Sequence, residues 1–104
     1  MFATVRRYEG IDSSNIDELT KKVGESLAPK LSKLPGFSSY FLIDTGNGVM
    51  SSIGLFETST QANESTRVAS EWVRDEKLEN ILQTPPKVTD GEVIVHKMNG
   101  LVKA

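Results

Sequence analysis

Apolar and polar residues along the chain are spaced in a way that divides it into six predicted elements. Phe2-Ala-Thr-Val-Arg-Arg-Tyr8 is β-branched and aromatic with no breaker, which predicts a strand. After the turn residues Gly10–Ser14, apolar side chains fall at Ile16, Leu19, Val23, Leu27, Leu31 and Leu34. Steps of three and four place them on one helical stripe. Asn15 with Glu18 has the pattern of a capping box, and Ser14 is the alternative N-cap. Pro29 sits inside the stripe. Its ring clashes with the Glu25 carbonyl in an α-helix, so the last turns are expected to bend or break before Leu34-Pro35-Gly36 stops the helix.

The next two runs, Phe37–Ile43 and Val49–Phe56, read as strands joined by Asp44-Thr-Gly-Asn-Gly48, whose Asn-Gly pair readily takes positive φ. Thr58 with Gln61 then opens a second helix. Its inward positions are Ala62, Ser65, Ala69, Trp72 and Val73, with Glu76 a further candidate, and Leu78, Ile81 and Leu82 are expected to finish it before Pro85-Pro86. Glu92-Val-Ile-Val-His-Lys97 is the last predicted strand, with a tail over residues 98–104.

The order βαββαβ predicts an α+β, ferredoxin-like domain spanning residues 1–104. Right-handed crossovers then give a four-stranded antiparallel sheet in the order 4-1-3-2 with two helices on one face. Both parities of the strands carry large apolar groups: Phe37, Phe41 and Ile43 on one side, Tyr40 and Leu42 on the other. A sheet wetted on one face alternates more cleanly. The uncovered face is therefore expected to be buried by a second subunit, a homodimer. The competing account is that isolated outward apolar residues are simply tolerated.

Composition narrows the class of partner. With 12 Lys+Arg against 14 Asp+Glu the net charge is −2, without the clustered basic face that nucleic-acid binding needs. No cysteine is present, which removes thiolate catalysis and thiolate metal sites and fits a reducing compartment. No apolar run reaches the length of a membrane span, and Met1–Gly10 lacks the apolar core of a signal peptide. A cytoplasmic protein with no nucleic-acid or membrane partner is expected.

The run Lys33-Leu-Pro-Gly-Phe-Ser-Ser-Tyr-Phe-Leu-Ile-Asp44, followed by Gly48-Val-Met-Ser-Ser-Ile-Gly-Leu-Phe-Glu57 and Glu64-Ser65, resembles the antibiotic-biosynthesis-monooxygenase-like group of dimeric α+β barrels. The similarity spans about residues 1–97. The resemblance implies two sheets packed face to face across a dimer, which agrees with the two-sided strands. It also implies one of several chemistries: cofactor-free oxygenation of aromatic polyketides, haem degradation, or none assigned. The haem-degrading branch uses an Asn on the first strand and a His on the second helix. Neither is present here, so nothing is carried over from it.

Few residues of this chain can carry chemistry. His96 is the sole histidine. On the predicted last strand it would lie beside the first, where Arg6 and Tyr8 share one face and Arg7 the other, a cluster suited to anion binding or proton transfer. The plainer alternative is a strand-end histidine half in solvent. Trp72 stands beyond the small residues Ala62, Ser65 and Ala69, where it either walls a cleft for a flat aromatic ligand or fills the core. Tyr40 completes the ligand-binding candidates. No metal site is expected, since Glu71, Asp75, Glu76 and Glu79 alternate with Arg67, Arg74 and Lys77 as on a solvated helix face. No flavin, nicotinamide or haem motif occurs, so no cofactor is expected either. The enzyme hypothesis is thus a cofactor-independent monooxygenase for a small aromatic or quinone-like compound. The alternative is a non-catalytic small-molecule-binding or stress-related dimer.

Overall fold

A computed structural model describes residues 1–98 of the chain; residues 99–104 of the expected tail lie outside them. The elements are β1 (Phe2–Tyr8), α1 (Ile16–Lys22), a π-helical turn (Val23–Leu27), α2 (Ala28–Ser32), β2 (Phe37–Gly46), β3 (Val49–Phe56), α3 (Ser59–Asp75) and β4 (Lys87–Glu92). The antiparallel sheet has the order β2-β3-β1-β4, and α1, the π turn and α2 form one unbroken rod. This is the expected ferredoxin-like plan. Both helical rods cover the sheet face that carries Thr4, Arg6, Met50, Ser52 and Phe56, all buried.

The first rod follows its sequence stripe: Leu19, Val23, Leu27 and Leu31 are all buried, each contributing roughly 2 kcal/mol of apolar transfer. A four-residue step turns an α-helix by about 400°, so three such steps would rotate the stripe by about 120° away from the sheet. The π turn has more residues per turn and brings the stripe back. Its wider ladder, with the Ala28 amide bonded to the Val23 carbonyl, also gives the Pro29 ring space that an α-turn denies. Pro29 therefore breaks the α ladder without ending the helix. The N-terminus differs too. Asn15 is the N-cap of α1 as expected but makes no side-chain capping bond. The capping bonds lie one turn earlier, where Asp12 caps a 3-10 turn over Ser13–Asn15, its carboxylate accepting from the Ser14 amide at 2.9 Å and the Ser14 hydroxyl at 2.8 Å.

Gly36 (φ +76°) ends this segment. That left-handed backbone favours glycine, and a Cβ there would also displace the end of the Gln61 side chain from its capping position. A bulge between Phe37 and Ser39 then turns Phe37 to the helix side, against expectation, where its ring meets Phe56 edge-on at 5.8 Å. At the hairpin tip Asn47 and Gly48 both take positive φ, 57° and 77°, the conformation a two-residue turn requires.

Thr58 and Gln61 form the expected capping box. The far end of α3 does not run on to Leu82. It stops at Asp75, because Lys77 adopts φ 57° and the Lys77 and Leu78 amides turn back to the Arg74 and Val73 carbonyls at 3.1 and 2.9 Å. That is a Schellman stop with Lys77 in the place glycine usually takes, and it folds Leu78 into the core. The last strand is also displaced: it is Lys87–Glu92, not Glu92–Lys97. Backbone pairing with β1 has selected a segment containing Asp90 and Gly91, residues that strands usually avoid. Val93 still donates to the Met1 carbonyl at 2.9 Å, and beyond it Ile94, Val95 and Met98 are exposed.

On the uncovered face, Phe41, Ile53 and Val5 form one cross-strand row, with Ile43 beside it. Phe41 is 52% exposed and Ile43 42%. Replacing Lys77 by glycine is expected to stabilise the fold by up to about 1 kcal/mol, since the left-handed backbone costs glycine little. Urea unfolding of Lys77→Gly checks it: a midpoint at or below that of the parent contradicts the Schellman assignment.

Candidate functional site

The strand pleat sends Arg6 and Tyr8 to the helix-covered side of β1 and Arg7 to the other. Ser52 lies directly opposite Arg6 on β3, and Tyr40 follows on β2, opposite Gly54. These four side chains converge beneath the two helical rods. Arg6 is only 2% exposed. Its Nη1 donates to Thr66 Oγ1 of α3 at 3.3 Å, and among the described residues no carboxylate pairs with it. Its Nε and the Ser52 Oγ are buried with no hydrogen-bond partner among the described residues.

A buried charge without a counter-ion is costly, several kcal/mol even after relaxation. Its nearest compensation is the pair of phenols. Burial raises the Tyr8 pKa above the ordinary phenol value, and the neighbouring Arg6 charge offsets part of that rise. Tyr40 behaves the same way, raised by burial and by Tyr8, and eased by Arg6 and the nearby Ser52. Both phenols are therefore neutral donors at neutral pH, made stronger by the guanidinium behind them.

Trp72 is buried on the same side, near the C-terminal end of α3. Its indole Nε1 donates to Ser26 Oγ in the π turn at 2.9 Å, which fixes the ring between the two helical rods. Tyr8, Tyr40, Ser52, Trp72, Leu27 and Met50 are among the walls of an inner cavity of about 20 Å³, space for about one water. Two open grooves flank it. One, of about 300 Å³, shares Val23, Tyr40, Leu42 and Met50 with the cavity. The other, of about 280 Å³, shares Tyr8, Val73 and Leu82. Ala62, Ser65 and Ala69 are buried but line none of these spaces. Small residues there bring α3 close to β1 instead.

Of the residues singled out from sequence, Arg6, Tyr8, Tyr40 and Trp72 come together. Arg7 does not: it lies on the opposite face, exposed, and pairs with Glu9 at 2.8 Å. His96 lies past β4 in an exposed, irregular stretch, away from Arg6 and Tyr8, because the last strand is the earlier segment. Sequence reasoning missed Ser26, Ser52 and Thr66. For Ser52 a signal exists, a small polar residue on the buried parity of an otherwise apolar strand. Among the described residues no three acidic or imidazole side chains converge on a metal-sized space, and Glu71 is bound to Arg67.

No family model matches the chain, and no curated protein does. Solved structures do match. A protein of unknown function from Nitrosomonas europaea, NE2512, superposes with a TM-score of 0.75 at 16% identity, over 95% of this chain and 94% of that one. The Streptomyces coelicolor monooxygenase ActVA-Orf6, solved with the ligand nanaomycin D, gives 0.72 at 17% identity, over 95% and 92%. A mutant of MhuD with two manganese protoporphyrin IX molecules bound per active site gives 0.74 at 16% identity, over 95% and 100%. The chain shares with these proteins the ferredoxin-like α+β fold. Identities this low speak for the shared fold, and the chemistry must come from this chain's own side chains.

The chain holds two tyrosines, both in this site, so their titration reports it directly. A phenol whose pKa is higher folded than unfolded stabilises the fold below the unfolded value, and that stability is lost as pH rises through the folded one. Less than half of the tyrosine absorbance change is expected at about pH 10 in the native protein, with the remainder appearing on unfolding, and stability should fall above that pH. Half-ionisation at the free-phenol value would contradict the buried placement.

Proposed function

We propose that this protein binds a small, flat phenolic or quinone-like compound between sheet and helices, against Trp72, and oxidises it as a cofactor-independent monooxygenase. The observation that carries this reading is Arg6: among the described residues, a buried guanidinium with no carboxylate partner, an unpaired Nε, and an unpaired Ser52 hydroxyl beside it. Such an arrangement is poised for an anion. A ligand oxyanion on the cavity side would accept from Ser52, Tyr8 and Tyr40, with the Arg6 charge behind them. Donors already oriented in a dry site stabilise developing charge far more than water does.

The chemistry follows from that charge. Arg6 and the phenols favour the ionised, enolate-like form of a substrate carrying a CH₂ group between aromatic rings. That anion is electron-rich enough to reduce O₂ itself. The CH₂ carbon gains one oxygen atom as a carbonyl, and the second oxygen leaves as water with the two hydrogens. Substrate is the reductant and O₂ the oxidant, so no cofactor is required. Arg6 acts here as a positioning charge rather than a group that touches the reacting carbon.

We place the protein in the cytoplasm as a homodimer joined through the open sheet face. The row Phe41, Ile53 and Val5, with Ile43 beside it, supports this, since an obligate interface resembles a core cut in half. Among the described residues no helix is long and apolar enough to cross a membrane.

Oxygen uptake with anthrone as substrate tests the chemistry. Arg6→Met is expected to lower turnover by roughly 100-fold and to move the rate's rise with pH upward, because the substrate anion loses its stabilising charge. Parental protein that binds anthrone without oxygen uptake leaves the binding dimer as the function, and an unchanged pH profile in Arg6→Met removes Arg6 from it. Sedimentation tests the assembly. A mass about twice 11.4 kDa is expected at low micromolar concentration, reduced to the single-chain value by Phe41→Lys; a parental monomer refutes it.

A further inference from the structure

The inner cavity has space for one water, yet a flat aromatic ligand needs far more. The larger volume lies next to it, in the groove between the first helical rod and β2. Its helix wall is Thr20, Val23, Gly24 and Ala28, its sheet wall Tyr40, Leu42, Asp44 and Met50. Four of these residues also wall the inner cavity, where the buried Ser52 hydroxyl is unpaired among the described residues.

Gly24 stands out on this wall. It lies in the π turn with ordinary negative-φ backbone, and a Cβ added there meets no atom within 4 Å. Gly36, by contrast, is favoured by its backbone and by the capping position of Gln61. A helical glycine weakens the helix relative to alanine, and neither backbone nor packing requires one at this position. What the missing side chain does supply is an open groove. The π turn adds to the effect, since such turns re-aim helix residues and recur at functional sites.

We propose that this groove is the outer half of the ligand site. It takes the rings of a polycyclic phenol whose oxygen alone enters the inner cavity at Tyr8, Tyr40 and Ser52, and Gly24 sets the size of ligand admitted. The floor of Val23, Leu42 and Met50 suits a ring face, and Thr20 and Asp44 offer a hydroxyl and a carboxylate to a polar group on the far ring. The inference rests on the aromatic-ligand reading above and adds to it the ligand's size class.

The test compares a two-ring probe, naphthol, with a three-ring probe, anthrone, by quenching of the single tryptophan. Gly24→Leu is expected to weaken anthrone roughly tenfold or more while naphthol stays within about twofold, because the added side chain closes only the end of the groove that the third ring reaches. Should Gly24→Leu fail to fold, Gly24→Ala makes the same comparison with a smaller loss of about threefold. Anthrone affinity unchanged in these variants, or equal loss of both probes, overturns the groove assignment. Parental protein that binds naphthol and not anthrone also overturns it while leaving the inner site standing. Parental protein that binds neither probe overturns both.

Discussion

The interior of this molecule is organised around one positive charge that has no negative partner among the described residues. Placing Arg6 beneath two helical rods costs several kcal/mol that a Leu or Met at the same place would not. A domain of this size has a modest core and a small net stability, so the surrounding contacts must compensate. Thr66 takes one guanidinium nitrogen, and Tyr8 and Tyr40 turn their phenols toward the charge. Trp72, tied to Ser26, closes the space above. The small residues of α3 serve the same end, because they bring Thr66 within reach of β1.

Most of the architecture was legible because several local signals agreed. β1 and β3 have the predicted bounds, the hairpin has the Asn-Gly turn its loop length demands, and the Thr58 box starts α3 where expected. The misreadings share a cause: in each, a tertiary demand overrode a local preference. Val93-Ile-Val95 is the better strand by composition, but the chain returning from α3 meets β1 earlier, over Lys87–Glu92. Leu78, Ile81 and Leu82 continue a helical period, yet a left-handed Lys77 uses them to cap the core from a loop. The π turn left a trace in the four-residue steps from Leu19 to Leu31, which an ideal α-helix cannot keep on one face.

The site was legible in part for the same reason. Alternation alone separates Arg6 and Tyr8 from Arg7, and helical spacing alone sends Trp72 inward. Convergence needs register, and register places Ser52 against Arg6 and lets Tyr40 reach across β3. Nothing local marks Thr66 or Ser26 as a partner, since each acts across more than 40 residues of chain. His96 was tied to a strand that pairs elsewhere.

The contact at Gly36 has a kinetic meaning as well. Its carbonyl accepts from the Glu57 amide at 3.0 Å, and its missing side chain makes room for Gln61, whose own carbonyl caps the Thr58 amide at 3.1 Å. The start of β2, the end of β3 and the first turn of α3 therefore meet at one knot, closed by a chain segment of about twenty residues. Loops of that length close at little entropic cost, and contacts of short sequence separation favour rapid folding. The hairpin and the second helix can thus assemble as one early unit, onto which β1 and the first rod dock later, sealing Arg6 inside only at the end.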